Sequence, residues 1–382
     1  MAIEIKKSDE SNIQDLGKVW SITYRSGLPY EVDETRNHLS ENYIAYQDGE
    51  PVGAYGISPM TATRGQAEYK CAGVLAVAVM PHIRNSGVGS AMMRQALRDY
   101  FDLGYELAHL YGFRETYYRQ FGYEAVGNRY RISVEVPFFP NVRASLPVRQ
   151  LGVDCQDVIE DCYREFAHKR SGFNLRYNGQ WERILPRESN RTVYVAGDPV
   201  EAYAVVQHQA SFWEEQEIIE FVWNTRAGYD SILSVMRAIG KNKSKVSWFE
   251  PSDSPFRAHY WDRGASISLT NTIMYRVINA KKALVGLKPT STGSFTIEIV
   301  DEDIPENVGP WKVSFSPDEV IVESAKEAGL MINIRHFAQA LLGEPSLHDL
   351  ALNQLVEVRD PNQLAEAEKL LTPSPTLCFE GF

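Results

Sequence analysis

The chain has 382 residues, 44% of them hydrophobic, which suits two or three well-packed units and excludes wholesale disorder. A net charge of −11 argues against a nucleic-acid-binding surface, and the balance is uneven, since residues 281–382 hold 8 basic and 16 acidic groups. The four cysteines, Cys71, Cys155, Cys162 and Cys378, show neither CxxC spacing nor a paired His cluster, so a reduced cytoplasmic protein with no structural metal is expected. The opening residues MAIEIKKSDE lack the apolar stretch of a signal peptide, and no apolar run approaches the ~20 residues of a membrane span.

In chain order, residues 3–5 read as a first strand. Ser11 followed by Gln14 reads as a capping box, opening a helix with Ile13, Leu16, Trp20 and Tyr24 on one face. Strands over 42–47 and 51–58 flank Asp48-Gly49, a strong hairpin signal. A long strand, 68–79, runs into the stretch 77–98, VAVMPHIRNSGVGSAMMRQALR. It breaks at Met80-Pro81, crosses a polar turn with Arg84, Gly87 and Gly89, and ends in a helix carrying Ala91, Met92 and Leu97. A helix start offers unpaired N–H groups and a partial positive charge, and consecutive N–H groups in such a turn form a concavity for phosphate oxygens. Arg84 adds a full charge at its rim. Met92 stands where the dinucleotide fingerprint needs a third glycine, and no Walker lysine is present. A GxG before a helix reads by itself as turn punctuation. The specificity lies in the combination V-x-V-x-P-x-x-R-x-x-G-x-G on a strand–turn–helix unit. Residues 107–111 form a further strand, 115–121 a short helix and 129–136 a closing strand. The order is mixed α/β with an antiparallel start, and it fits a parallel Rossmann sheet poorly.

The segment Arg84-Asn85-Ser86-Gly87-Val88-Gly89 resembles the acetyl-CoA signature of the GNAT acetyltransferases, Arg or Gln, two residues, Gly, one residue, Gly or Ala. That resemblance implies acetyl-CoA as cosubstrate. The strand backbone at Val77 and Val79 would align the pantetheine arm, and Arg84, Asn85, Gly87, Gly89 and Ser90 would hold the pyrophosphate. The later run Tyr117-Tyr118-Arg119-Gln120-Phe121-Gly122-Tyr123 is similar to the Y-x-x-F-G-Y of the Eis (enhanced intracellular survival) family, N-acetyltransferases acting on aminoglycosides and other amines. It implies Tyr118 as the general acid for the departing thiolate, with Tyr117, Phe121 and Tyr123 as core aromatics. In Eis-like enzymes the carboxylate of the last residue acts as general base. Here that residue is Phe382, after Gly381, with Glu380 the next candidate. Glu31, Asp33 and Glu34 follow the first helix, the region that lines the acceptor side in GNAT folds. For each, a solvated loop acid is the simpler reading, with Glu31 and Asp33, together with Glu380, kept as candidate acceptor ligands.

Residues 141–280 repeat the strand–strand–strand–helix–strand order: a helix over 153–168, strands over 192–196, 202–207 and 217–223, a helix over 229–239 and a strand over 245–249. The turn Asn224-Thr225-Arg226-Ala227-Gly228-Tyr229 has one glycine and places its arginine too close to it, so this half is expected to bind coenzyme poorly or not at all. The edge PTSTGS at 289–294 leads to strands over 294–300, 311–315 and 320–322, then helices over 334–342 and 364–371. The whole resembles the Eis architecture, an α/β fold of two tandem GNAT-like domains followed by a sterol-carrier-like domain. The expected boundaries are a catalytic domain at 1–140, a degenerate domain at 141–285 and a sterol-carrier-like domain at 286–382. The implied activity is acetyl transfer to a primary amine of a cationic small molecule of the aminoglycoside or polyamine type, in a homo-hexamer with no nucleic-acid or membrane partner. Protein-lysine acetylation and a non-catalytic lipid-binding module are the alternatives.

Overall fold

Asp48 and Gly49 both take positive φ, 52° and 84°, and turn strand Glu41–Gln47 back onto strand Glu50–Arg64, as the Asp-Gly pair predicts. The hairpin continues into strand Ala67–Val79, and these three strands run antiparallel within an eight-stranded sheet. The computed structural model describes residues 3–29, 41–209, 211, 213–270 and 273–380. Across the first sheet the strands run Ile3–Lys7, Glu41–Gln47, Glu50–Arg64, Ala67–Val79, Leu107–Leu110, Met274–Val277 and Glu124–Ala125, with Ser171–Asn174 paired to Glu50–Arg64. Helix Val88–Asp102 buries Met92, Met93, Ala96 and Leu97 against this sheet, and helix Ile13–Tyr24 buries Leu16, Val19 and Trp20. The expected capping box does not form. The Ser11 hydroxyl bonds Asp9 at 2.6 Å instead, and the helix begins after Asn12 with no side-chain cap.

A second, seven-stranded sheet runs Ala265–Thr270, Arg129–Glu135, Lys245–Glu250, Gln216–Trp223, Ala202–Gln207, Arg191–Ala196 and Val148–Leu151. A third has five strands: Val320–Ser324, Gly309–Phe315, Gly293–Val300, Leu330–Asn333 and Val356–Val358. The strand expected to close the first unit, 129–136, is here a central strand of the second, between Lys245–Glu250 and Ala265–Thr270. In exchange, Met274–Val277 inserts into the first sheet between Leu107–Leu110 and Glu124–Ala125. Alternation places Ile132 and Val134 inside whichever sheet receives that strand, so local pattern does not choose the partner. Among the described residues no helix is long and apolar enough to cross a membrane.

Candidate functional site

Strand Ala67–Val79 pairs in parallel with Leu107–Leu110 only from Cys71 to Gly73. Beyond Gly73 the two strands part. On the other side, pairing with Glu50–Arg64 slips between Ala54 and Gly56, leaving Ala76 and Val77 as a bulge with Ala76 at φ 51°. The parted strands open a cavity of about 600 Å³, walled by residues 74–79, the turn from Ile83 to Ser90, and Tyr24, Tyr111, Phe113, Tyr117 and Tyr118. Val77, Val79, Arg84, Asn85, Gly87, Gly89, Ser90 and Tyr118 thus all face one space.

The turn's conformation follows from its residue types. Asn85 and Gly87 adopt the left-handed region, φ 67° and 92°, which asparagine tolerates and glycine takes without strain. Gly87 is the N-cap of helix Val88–Asp102, and no side chain caps that end. The first N–H groups of the helix are therefore left for a ligand. At Gly89 the constraint is space: a Cβ there would come within 2.5 Å of the Tyr117 hydroxyl. Arg84 is exposed beside the turn, its Nε 3.4 Å from the Val79 carbonyl. An uncapped helix start, two left-handed residues and an exposed arginine fit a pyrophosphate.

The second unit shows the contrast. Its equivalent helix, Arg226–Gly240, is capped by Thr225, whose Oγ1 accepts from Gly228 N at 3.0 Å and donates to Glu201 at 2.5 Å. A Cβ on Gly228 would meet Ala202 and the Glu201 backbone at about 3 Å. That helix start is filled by the chain's own side chain and a carboxylate, which repels an anion.

Tyr118 sits on the short helix Glu115–Arg119, 3% exposed and lining the cavity, packed edge-on against Tyr117, Phe113 and Tyr123. Among the described residues no hydrogen bond engages its hydroxyl, although that oxygen is not sealed in the core. Burial pushes the phenol up, helped by the nearby Tyr117 and Tyr24, so it stays protonated far above neutral pH. Phe121 and Tyr123 are core residues as expected, but Tyr117 lines the cavity beside Gly89.

One expectation is narrowed and another needs correcting. The strand carbonyls are already engaged: Trp20 Nε1 donates to Ala76 O at 3.0 Å and Tyr24 Oη to Val77 O at 2.7 Å. Alignment of a pantetheine arm at Val77 therefore falls to backbone groups other than this bonded carbonyl lone pair. Trp20 and Tyr24 were visible in the sequence only as an apolar helix face. Glu380 does not line the cavity; it is 5% exposed and ion-paired to Arg176, which also holds Glu220. Its carboxylate is committed to a guanidinium and is not offered to an acceptor. Glu31, Asp33, Glu34 and Phe382 lie outside the described residues, and none of the described lining residues is acidic.

Residues 4–126 match the family of acetyltransferase (GNAT) domains, and residues 280–379 match the sterol carrier protein domains. An uncharacterized N-acetyltransferase of Streptomyces coelicolor is 26% identical over 329 residues, covering 79% of this chain and 78% of that one. A probable N-acyltransferase of Enterococcus faecalis superposes with a TM-score of 0.88 at 19% identity, over the full length of both chains. The structure of Eis1 from Mycobacterium abscessus superposes with a TM-score of 0.83 at 16% identity, again over both full chains.

Proposed function

We propose that this chain, a GNAT-type N-acetyltransferase of Eis-like architecture with a C-terminal sterol carrier protein domain, moves the acetyl group of acetyl-CoA onto a primary amine of a cationic small molecule of the aminoglycoside or polyamine type. The observation that carries the reading is the convergence of the uncapped helix start, the parted strands and the free Tyr118 hydroxyl on one cavity.

When bound, acetyl-CoA supplies a thioester whose acyl carbon accepts the amine nitrogen as the carbon–sulfur bond breaks. The N–H groups at Val88, Gly89 and Ser90, with Arg84, hold the pyrophosphate and so fix where the thioester lies. Tyr118 donates its phenolic proton to the departing sulfur. The Eis resemblance assigns the amine's proton to a terminal carboxylate, for which Phe382, outside the described residues, is the candidate. The aromatic faces of Phe113, Tyr24 and Tyr117 around the cavity suit a cationic acceptor. We also propose a homo-hexamer as the working assembly, on the strength of the Eis resemblance; a monomeric mass by light scattering at micromolar concentration would refute it.

The test is titration calorimetry with acetyl-CoA, followed by thiol release with a panel of aminoglycosides, polyamines and lysine peptides. Saturable binding and turnover with small polyamines support the reading. No binding removes it, and preferred turnover of peptides moves it to protein-lysine acetylation.

A further inference from the structure

The bulge that parts the strands takes two peptide groups out of the sheet's ladder. Pairing with Glu50–Arg64 passes from Leu75–Gly56 straight to Ala78–Ala54, and pairing with Leu107–Leu110 ends at Gly73, so Ala76 and Val77 have no register partner on either side. Backbone polar groups shut off from the ladder need partners from elsewhere. Both carbonyls find theirs on one helix. Trp20 and Tyr24 stand four residues apart on Ile13–Tyr24, hence on one face. Trp20 Nε1 donates to Ala76 O at 3.0 Å, and Tyr24 Oη donates to Val77 O at 2.7 Å.

The helix that carries this pair is anchored independently of the bulge. Leu16, Val19 and Trp20 pack with Ile44, Ala54, Ala78 and Met80 in one core cluster, and Tyr46 donates to Asp15 at 2.8 Å. Trp20 is 2% exposed, whereas Tyr24 is half-exposed and forms part of the cavity wall. A peptide group is planar, so a bond that fixes the Ala76 carbonyl also fixes the direction of the Val77 N–H. The bond to the Val77 carbonyl fixes the next plane in the same way. Ala76, Val77 and Ala78 all line the cavity, together with the turn at Arg84 and the Tyr118 ring.

We infer that Trp20 and Tyr24 are a pair of positioning residues that lock two successive peptide planes of the cavity wall, and with them the backbone surface that recognises the acyl-pantetheine arm of the coenzyme. This rests on the reading above, in which the pyrophosphate sits at the turn from Arg84 to Ser90 and the thioester reaches Tyr118. An arm that joins those two places runs along residues 74–79, which wall the same cavity. The arm is flexible and polar, with amide and thioester carbonyls. Partners fixed in advance lower the cost of ordering it and settle where the thioester lies. Neither bond is made to the turn itself, so the pyrophosphate end is held separately from the arm.

The experiment compares Tyr24→Phe and Trp20→Phe with wild type on the full chain. Tyr24→Phe keeps the ring and removes only the donor. Each protein is titrated with acetyl-CoA, and the inhibition of its turnover by ADP, which carries the pyrophosphate but no arm, is measured up to millimolar concentration. Losing one net hydrogen bond is worth about a three- to tenfold change. Tyr24→Phe should therefore weaken acetyl-CoA binding about three- to tenfold, with the ADP inhibition constant within about twofold of wild type. S-acetylpantetheine, which has the arm but no nucleotide, should lose kcat/KM by the same factor as acetyl-CoA. Trp20→Phe should show the same pattern with a lower unfolding midpoint, because it strands a buried carbonyl. If that variant does not fold, the half-exposed Tyr24→Phe carries the test alone. Acetyl-CoA binding that is unchanged or tighter in Tyr24→Phe overturns the inference. So does an equal loss for ADP, which marks the pair as fold-stabilising groups only. Wild-type protein that fails to bind acetyl-CoA refutes the functional reading instead, and the two failures are distinguishable.

Discussion

Tyr118 and Glu250 are both buried acids with raised pKa values, and their surroundings give them opposite consequences. Tyr118 meets the cavity with a hydroxyl that no described residue engages. A phenol pushed up by burial cannot lose its proton below strongly alkaline pH. Replacing Tyr118 with Phe removes that one oxygen, and turnover should drop about 100- to 10,000-fold while acetyl-CoA affinity holds. Equal kcat for the two proteins would reduce Tyr118 to a packing residue. Glu250 ends strand Lys245–Glu250, wholly buried away from the cavity, accepting from Tyr229 at 2.7 Å and Trp248 at 2.6 Å. Burial raises its pKa to about 7 against those hydrogen bonds. Below pH 4.5 the group is protonated in both folded and unfolded chains and costs nothing. Between pH 4.5 and 7 the unfolded chain releases a proton that the folded one keeps, so stability falls as pH rises through that window. Above pH 7 the cost levels off at roughly 3 kcal/mol. Glu250→Gln should therefore raise the unfolding midpoint at pH 8 and leave it nearly unchanged at pH 4.5, as read by denaturant titration at the two pH values. An equal change at both would mean that the carboxylate is not carrying the penalty.

Helix starts decide which half of the tandem can take an anion, and the sequence gives this away at one end and hides it at the other. The turn before Val88 was legible because the spacing of Arg84, Gly87 and Gly89 after a strand is a fixed pattern, which the structure turns through left-handed Asn85 and Gly87. The missing second glycine after Gly228 was legible too. That Thr225 caps that helix and Glu201 sits on the cap was not, because Glu201 reaches it from another strand turn. One acetyl-CoA should bind per chain in calorimetry, and a second site of comparable affinity would contradict the closed helix start. The strands flanking the cavity were also legible, since their hydrophobic runs bury both faces. Their parting was not: it arises from the bulge at Ala76 and Val77, a register property of two strands and not of either alone. The same holds for Arg129–Glu135 and Met274–Val277, whose alternation fits either sheet. Glu380 looked like a free acid because nothing local indicates that Arg176, 204 positions away, closes on it.

At the scale of the whole molecule, that exchange of strands has a mechanical consequence. Met274–Val277 lies inside the first sheet with Met274, Tyr275 and Val277 fully buried, while it is covalently continuous with the second sheet's Ala265–Thr270 on one side and the third unit on the other. Within it, Arg276 is wholly buried, donates to Phe121 O at 2.9 Å, and forms a two-pronged pair with Asp301 of the third unit at 2.7 and 2.8 Å. Asp301 is itself braced by Asn307 at 2.9 Å. The third unit thus neutralises a charge in the middle of the first. Removing the partner of a buried ion pair leaves an uncompensated charge and costs about 3–5 kcal/mol, so Asp301→Asn should lower stability by that amount. Because the charge it strands belongs to the first sheet, the loss should not stay in the third unit. Circular dichroism, which follows all three sheets, and tryptophan fluorescence, to which the second unit contributes five of the seven tryptophans, Trp181, Trp213, Trp223, Trp248 and Trp261, should shift together to a single lower midpoint. A variant in which the dichroism splits, with an early step confined to the third unit and an unmoved fluorescence transition, would show that the units are joined by the chain but not by this charge.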